Sequence, residues 1–145
     1  MKQIAFLLFF LAGTGLWAQK TQTALSASDE ATARAATEQL VAKYKLNADQ
    51  AKQMYTIQAR KLRNMAAIES IKTTDPALYL AKKQSVQDGA RTSIRRILNT
   101  KEQVDLFEKT KVETRTRQAE KRKEMMQAGA SKQEIEAAVL DLYTE

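Results

Sequence analysis

The chain contains no cysteine and no histidine among its 145 residues, and only four glycines and one proline. Histidine is the commonest general base, cysteine supplies the thiolate nucleophile, and both are leading transition-metal ligands. Glycine is too scarce to build a phosphate-cradling loop, and the motifs GxxxxGK[ST], GxSxG and HExxH are absent. Neighbouring carboxylates such as Asp29 and Glu30 lie in polar stretches, where solvated charge is the ordinary interpretation. We therefore expect a protein that is not an enzyme and that uses neither a cofactor nor a metal ion.

The first eighteen residues have the pattern of a secretory signal peptide. Lys2 precedes an unbroken apolar run at residues 4–11, and a small-residue cleavage site ends at Ala18. A retained membrane anchor is the weaker alternative, because the apolar run is far shorter than the ~20 residues that span a bilayer. No later segment is apolar enough to cross a membrane, and no cysteine is present to carry a lipid. We expect cleavage of residues 1–18 and a soluble exported product with no stable membrane insertion.

Basic residues outnumber acidic ones, and the formal net charge is +7. Loss of Lys2 with the signal peptide leaves about +6. Nucleic acid is not an expected partner, because the chain is exported and no aromatic stacking platform accompanies its cations. The charge favours acidic protein surfaces, unfolded acidic chains or anionic lipid headgroups.

Apolar residues recur with helical periodicity, but the potential core is thin. After cleavage only five aromatic residues remain, namely Tyr44, Tyr55, Tyr79, Phe107 and Tyr143. Such a chain is expected to form long helices that bury a narrow stripe, completed by a second copy. The predicted fold is therefore all-α, with four to five helices in a thin, elongated hairpin or bundle.

Helix-start and helix-stop signals divide the chain into a flexible lead at residues 19–30 and a single helical domain at 31–145. Helices are predicted at 31–44, 47–71 and 77–98, with Asp75 as a cap and Pro76 in the first turn of the third. A fourth helix follows Thr100, and its half at 113–127 is predicted to be a solvated extension that cannot dock. A short amphipathic helix at 131–143 is expected to dock on the bundle or a partner subunit, with membrane-surface binding as the alternative.

Three of these helices begin with a capping box, in which a short polar side chain and a residue three positions later satisfy each other's backbone N–H groups. The three boxes are formed by Asn47 with Gln50, Thr100 with Gln103, and Ser131 with Glu134.

The third helix carries a narrow apolar seam and an internal glycine. The seam comprises Val86, Ala90, Ile94 and either Ile97 or Leu98. Gly89 costs up to about 1 kcal/mol relative to alanine in a helix. Close packing or a bend is the favoured explanation for it, and a functional hinge is the alternative.

The remaining candidate site is a basic surface on the second and third helices. Its cations are Arg60, Lys61, Arg63, Lys82, Lys83, Arg91, Arg95 and Arg96. An ordinary solvated face is one interpretation. The other is a basic concavity edged by apolar side chains, which would bind client proteins. The predicted client-binding residues are Met54, Arg60, Lys61, Arg63, Met65, Ile68, Arg91 and Arg95.

A helix start of the form Leu-[Thr/Asn]-x-x-Gln occurs twice, about fifty residues apart. The first copy has Asn47 where threonine is usual, and in the second Asn99 separates Leu98 from Thr100. With its export signal and basic helices, the chain resembles over roughly residues 40–111 the LTXXQ-motif proteins, the Spy/CpxP group of periplasmic chaperones and envelope-stress proteins.

That resemblance implies a periplasmic, curved, antiparallel helical dimer whose concave face binds unfolding clients without ATP. It also implies that Asn47, Gln50, Thr100 and Gln103 are structural caps, and it disfavours metal sensing because metal-binding relatives use histidine. Two functions are therefore predicted. The first is a chaperone for unfolded or acidic clients, and the second is a stress-response adaptor or structural protein that docks one folded partner.

Overall fold

The computed structural model describes residues 25–143, and this part of the chain is all-α. Its helices are α1 (Ala27–Tyr44), α2 (Ala48–Glu69), α3 (Pro76–Ile97), α4 (Lys101–Gln127) and α5 (Lys132–Leu140). The prediction of an all-α fold with four to five helices is confirmed for these residues. The predicted signal peptide lies outside the described residues.

Helix α1 begins earlier than its apolar pattern indicates. Ser26 is the N-cap, and its Oγ accepts a hydrogen bond of 3.1 Å from the backbone N–H of Asp29. Residues 27–30, predicted to be part of a flexible lead, are therefore helical. The helix can start here because Ser26 accepts from the otherwise unpaired N–H of Asp29, one turn before the first buried side chain, Ala33.

The link between α2 and α3 is built as predicted. The Asp75 carboxylate accepts a 3.0 Å hydrogen bond from the Leu78 N–H, and Pro76 occupies the first helical position. A proline there loses no helical hydrogen bond and is pre-set for helical φ. Chain reversal at this point lets α3 pack along α2.

Two apolar clusters lie at opposite ends of α3. The larger cluster gathers side chains from α1 to α4 and both α1–α2 and α3–α4 links: Leu40, Tyr44, Leu46, Met54, Ile57, Ala90, Ile94, Leu98 and Phe107. The smaller comprises Tyr79, Leu80 and Leu140, with Ile68 and Ile71 packed against it. The α3 seam is thus buried within one chain at Ala90, Ile94 and Leu98, and only partly buried at Val86.

The second half of α4 docks, which corrects the prediction for residues 113–127. Thr114 is 1% exposed, and the Gln118 side-chain amide donates to the Val139 carbonyl of α5 at 3.2 Å. The contact is largely polar, so it leaves no apolar stripe in the sequence. In the first half of α4, Glu108 and Lys111 form an ion pair at 2.8 Å.

Helix α5 folds back across α3 and α4 and docks there. Gly129, with φ 75°, reverses the chain, and the N–H groups of Gly129 and Ala130 donate to the carbonyls of Met126 and Met125. This is a Schellman turn, in which a glycine at positive φ ends a helix. The Ser131 and Glu134 capping box then starts α5, as predicted.

The two described glycines, Gly89 and Gly129, have opposite structural roles. A Cβ at Gly89 would meet no atom within 4 Å, so close packing does not explain this glycine. A Cβ at Gly129 also finds open space, but its φ of 75° is strained for any L side chain.

Replacing each glycine by alanine should therefore change stability in opposite directions. Gly89→Ala should raise the free energy of unfolding by about 1 kcal/mol, since alanine is the better helix former. Gly129→Ala should lower it by about 1 kcal/mol through backbone strain. Thermal unfolding of the two variants checks this, and a shift of the same sign in both would contradict the assigned backbone geometry.

Candidate functional site

The first capping box forms at the start of α2 as predicted. The Asn47 side-chain oxygen accepts hydrogen bonds from the N–H groups of Asp49 at 3.1 Å and Gln50 at 2.9 Å. The Gln50 side-chain oxygen in turn accepts from the Asn47 N–H at 3.0 Å. Both motif residues are structural caps.

The second box, at the start of α4, accommodates an additional residue. Thr100 Oγ1 accepts from the Gln103 N–H at 3.2 Å, and Gln103 Oε1 accepts from the N–H groups of Thr100 at 3.4 Å and Asn99 at 3.1 Å. Asn99, which interrupts the motif in the sequence, thus donates to the same acceptor. The insertion leaves the cap intact.

The two capping glutamines also bond to each other. Gln50 Nε2 donates to Gln103 Oε1 at 2.9 Å, and Gln103 Nε2 donates to Gln50 Oε1 at 3.1 Å. Their residues are 4% and 6% exposed. Both glutamines are predicted as caps from the sequence, but their pairing is not. The one sequence feature that indicates it is that both occupy the same cap position.

The same amides reach the ends of the preceding helices. Gln50 Nε2 also lies 2.7 Å from the Ile97 carbonyl, and Gln103 Nε2 lies 3.4 Å from the carbonyl of Lys45. The end of α1, the start of α2, the end of α3 and the start of α4 therefore meet at one hydrogen-bonded point. We call Gln50 and Gln103 the glutamine pair.

A cleft of about 860 Å³ opens between α2 and α3. Ala81 and Val86 are its accessible apolar side chains, and Ile57 and Ala90, which also line it, belong to the larger buried cluster. Its charged and polar side chains are Arg60, Lys61, Asn64, Gln84, Ser85, Asp88, Thr92, Ser93 and Arg96. We call this region the α2–α3 cleft. It combines an apolar lining with a predominantly positive set of ionisable groups.

One cation of the cleft is positioned by the neighbouring helix. The Arg60 guanidinium donates to Ser93 Oγ at 2.7 Å, and Ser93 donates to the Gly89 carbonyl at 2.8 Å. This chain holds an arginine of α2 against α3 while its residue remains exposed. The arrangement is suited to binding a carboxylate near an apolar side chain.

The structure brings only two of the predicted client-binding residues into the cleft, Arg60 and Lys61. Met54 is 0% exposed, so its prediction as a client contact is wrong. The apolar stripe of α2 faces α1 and α3, which places Met54 in the core and not on a surface. Arg96 belongs to the predicted basic surface but not to the narrower client-binding set, and it lines the cleft.

The other candidates lie elsewhere. Arg63 and Met65 are partly buried on α2, and Ile68 packs against the smaller apolar cluster. Arg95 is exposed on α3. The Arg91 guanidinium lies 4.2 Å from the ring centre of Tyr143, so it anchors the C-terminal segment.

Tyr143 is held between charges of both signs. Its hydroxyl donates to Asp88 at 3.2 Å, while Arg91 lies over its ring. Partial burial, with the negative charge of Asp88, raises the pKa of the phenol, and Arg91 opposes the shift. Asp88, an acidic residue of the cleft lining, is thereby engaged by the C-terminal segment.

Within residues 25–143, no group of three or more acidic side chains is placed to hold a metal ion. In the same part of the chain, no helix is both long and apolar enough to cross a bilayer.

The Tyr143 environment predicts its titration. A pKa raised above the unfolded value of about 10 means that its stabilising contribution is present below pH ~10 and is lost as pH rises through the folded pKa. The difference in absorbance at 295 nm between the wild type and Tyr143→Phe isolates this phenol. Its midpoint should lie above 10, and a midpoint at or below 10 would contradict the partial burial of Tyr143 beside Asp88.

Comparisons of the chain with protein-family models, curated proteins and solved structures found no match.

Proposed function

We propose that the protein is an exported, ATP-independent chaperone that binds acidic, unfolded protein segments in the α2–α3 cleft. The observation that carries this proposal is the combination of the accessible apolar side chains Ala81 and Val86 with the cations Arg60, Lys61 and Arg96 in one open cleft. Membership of the LTXXQ-motif group is part of the same proposal. It is supported by two intact capping boxes with the motif's glutamines.

Electrostatic attraction would bring clients to the protein. A net charge of +7 attracts acidic chains over a distance of about a Debye length, and the cations of the cleft then hold carboxylates beside its apolar part. Unfolded segments offer both groups together, whereas folded proteins bury most of their large apolar side chains.

Weak retention follows from the size and openness of the contact. A few partly exposed apolar groups provide little buried area, and exposed ion pairs contribute only about 0–1 kcal/mol each. Clients would therefore dissociate and refold without an energy source. This fits a chain in which no nucleotide-binding motif occurs.

The proposal predicts which charges matter. Neutralising the cleft with Arg60→Gln, Lys61→Gln and Arg96→Gln should markedly reduce the suppression of aggregation of an acidic model client. The remaining activity should depend less on salt, since the electrostatic contribution has been removed. Light scattering of the aggregating client at low and high ionic strength measures both effects.

A matched control carries Lys109→Gln, Arg115→Gln and Lys123→Gln on the exposed face of α4, outside the cleft lining. It has the same net charge as the cleft variant and should retain wild-type suppression. Equal losses in the two triple variants would overturn the cleft as the site, and no suppression by the wild type at any ratio would overturn the function. Capture of one stoichiometric folded partner from envelope extract would instead favour the adaptor.

A homodimer remains a prediction. The narrow seam on α3 no longer requires a second copy, because Ala90 and Ile94 are covered by the chain's own helices. Among the described residues, Leu78, Val112 and Met126 are large apolar side chains that stay exposed and are available to a subunit contact.

A further inference from the structure

Helix α5 occupies a defined binding surface on α3 and α4. Its apolar face is formed by Ile135, Val139 and Leu140, all buried. On the α3 side, Tyr79 and Leu80 form an apolar cluster with Leu140. We call the surface beneath α5, from Tyr79 to Arg91 on α3 and around Gln118 on α4, the α5 seat.

Two glutamines of the seat bind the backbone of α5, not its side chains. Gln87 Nε2 donates to the Leu140 carbonyl at 2.9 Å, and Gln118 Nε2 donates to the Val139 carbonyl at 3.2 Å. Both acceptors lie in the last turn of α5, where they also accept long hydrogen bonds from the N–H groups of Leu142 at 3.3 Å and Tyr143 at 3.4 Å, and each carbonyl oxygen has a second lone pair for a glutamine. The same two amides can therefore bind the C-terminal end of any helix that presents a suitable apolar face.

Charge selects the kind of helix. The Lys83 ammonium pairs with the Asp141 carboxylate at the end of α5, and its side chain is only 13% exposed. Arg91 covers the Tyr143 ring, while Arg122 and Glu136 line one small cavity beside α5. The seat thus presents cations to an acidic amphipathic helix.

Helix α5 is also attached in a way that permits exchange. Nine residues form only a marginal helix by themselves, so α5 depends on the seat for its structure. The turn through Gly129 connects it to α4, and Ala128 and Gly129 are exposed. An open cleft of about 270 Å³ lies beside α5 and is lined by residues of α3, α4 and α5, so solvent reaches this edge of the contact.

We propose that the α5 seat is a second binding surface, which accepts the C-terminal turn of short acidic amphipathic helices from partner proteins. In this arrangement α5 is the intramolecular occupant and competes with partner helices. The α5 seat adjoins the α2–α3 cleft along α3, where Ala81 and Gln84 line cavities on both sides. The proposal does not require chaperone activity.

The test measures binding of a fluorescent peptide with the sequence of residues 131–145 to the chain that carries its own α5. Binding to the wild type should be weak, because only the fraction of molecules with an open seat is competent. The substitutions Asp141→Asn and Tyr143→Ala should weaken the attachment of α5 and enlarge the fraction of molecules with an open seat. The apparent affinity for the peptide should rise about tenfold for each tenfold increase in that fraction. Fluorescence anisotropy measures the affinity.

A protein whose α5 is covalently held in the seat provides the opposite limit, with no open seat. Since the chain has no native cysteine, Lys83→Cys and Asp141→Cys can be joined selectively by a short bismaleimide. The joined protein should not bind the peptide. The same double variant with both thiols capped by N-ethylmaleimide is the matched control. Its seat can open, so it should bind the peptide through Gln87 and Gln118 although it lacks the Lys83 cation.

Equal peptide affinity in the joined and capped forms would overturn the proposal, as would equal binding of a scrambled peptide of the same composition. Circular dichroism verifies that each form is folded. If the weakened variant unfolds, the joined and capped pair still decides the outcome. Dimerisation of the weakened variant through exchange of α5, detected by light scattering, would assign the seat to a second copy and overturn the partner-helix assignment.

Discussion

The rest of the structure depends on the reciprocal hydrogen bonds between Gln50 and Gln103. Each side chain closes its own helix cap and also bonds to the other cap and to a preceding backbone carbonyl. A hydrogen bond contributes about 0.5–1.5 kcal/mol, so the two bonds between the amides stabilise the position of each cap relative to the other. Four helix ends are thereby held together above the larger apolar cluster, where Tyr44 and Phe107 pack with ring centres 6.3 Å apart.

Both candidate binding surfaces use α3, which runs from this junction to the second cluster. The α2–α3 cleft carries cations on both helices, and the α5 seat uses Gln87 and Lys83 on α3. Asp88 and Tyr143 connect the two regions, because a residue of the cleft lining bonds to the segment that follows α5. Occupation of one surface can therefore affect the other through a direct contact.

Much of the fold could be predicted from the sequence because its helix starts are locally encoded. Asn47, Asp75, Thr100 and Ser131 all cap the helices expected of them, and a capping side chain reaches only two or three residues. Contacts between polar groups far apart in the chain leave no such pattern. For that reason the docking of the second half of α4 could not be predicted, and the pairing of the two capping glutamines had only their shared cap position as a signal. The candidate site was less predictable still, since helical periodicity does not show which apolar residues a neighbouring helix covers. Met54, predicted as a client contact, is one of the covered residues and lies in the core.

The most direct measurement of the central claim is a double-mutant cycle on the glutamine pair, using urea unfolding of Gln50→Ala, Gln103→Ala and the double variant. Each single substitution should cost about 2–3 kcal/mol, because it removes a cap bond and both hydrogen bonds between the two buried amides. The double variant should cost at least ~1 kcal/mol less than the sum, since the second substitution removes a side chain whose bonds to the other glutamine are already lost. A control cycle of Gln50→Ala with Ser131→Ala, on a separate cap, should be additive. Additive costs for Gln50 and Gln103 would contradict the claim that their mutual bonds hold the four helix ends together.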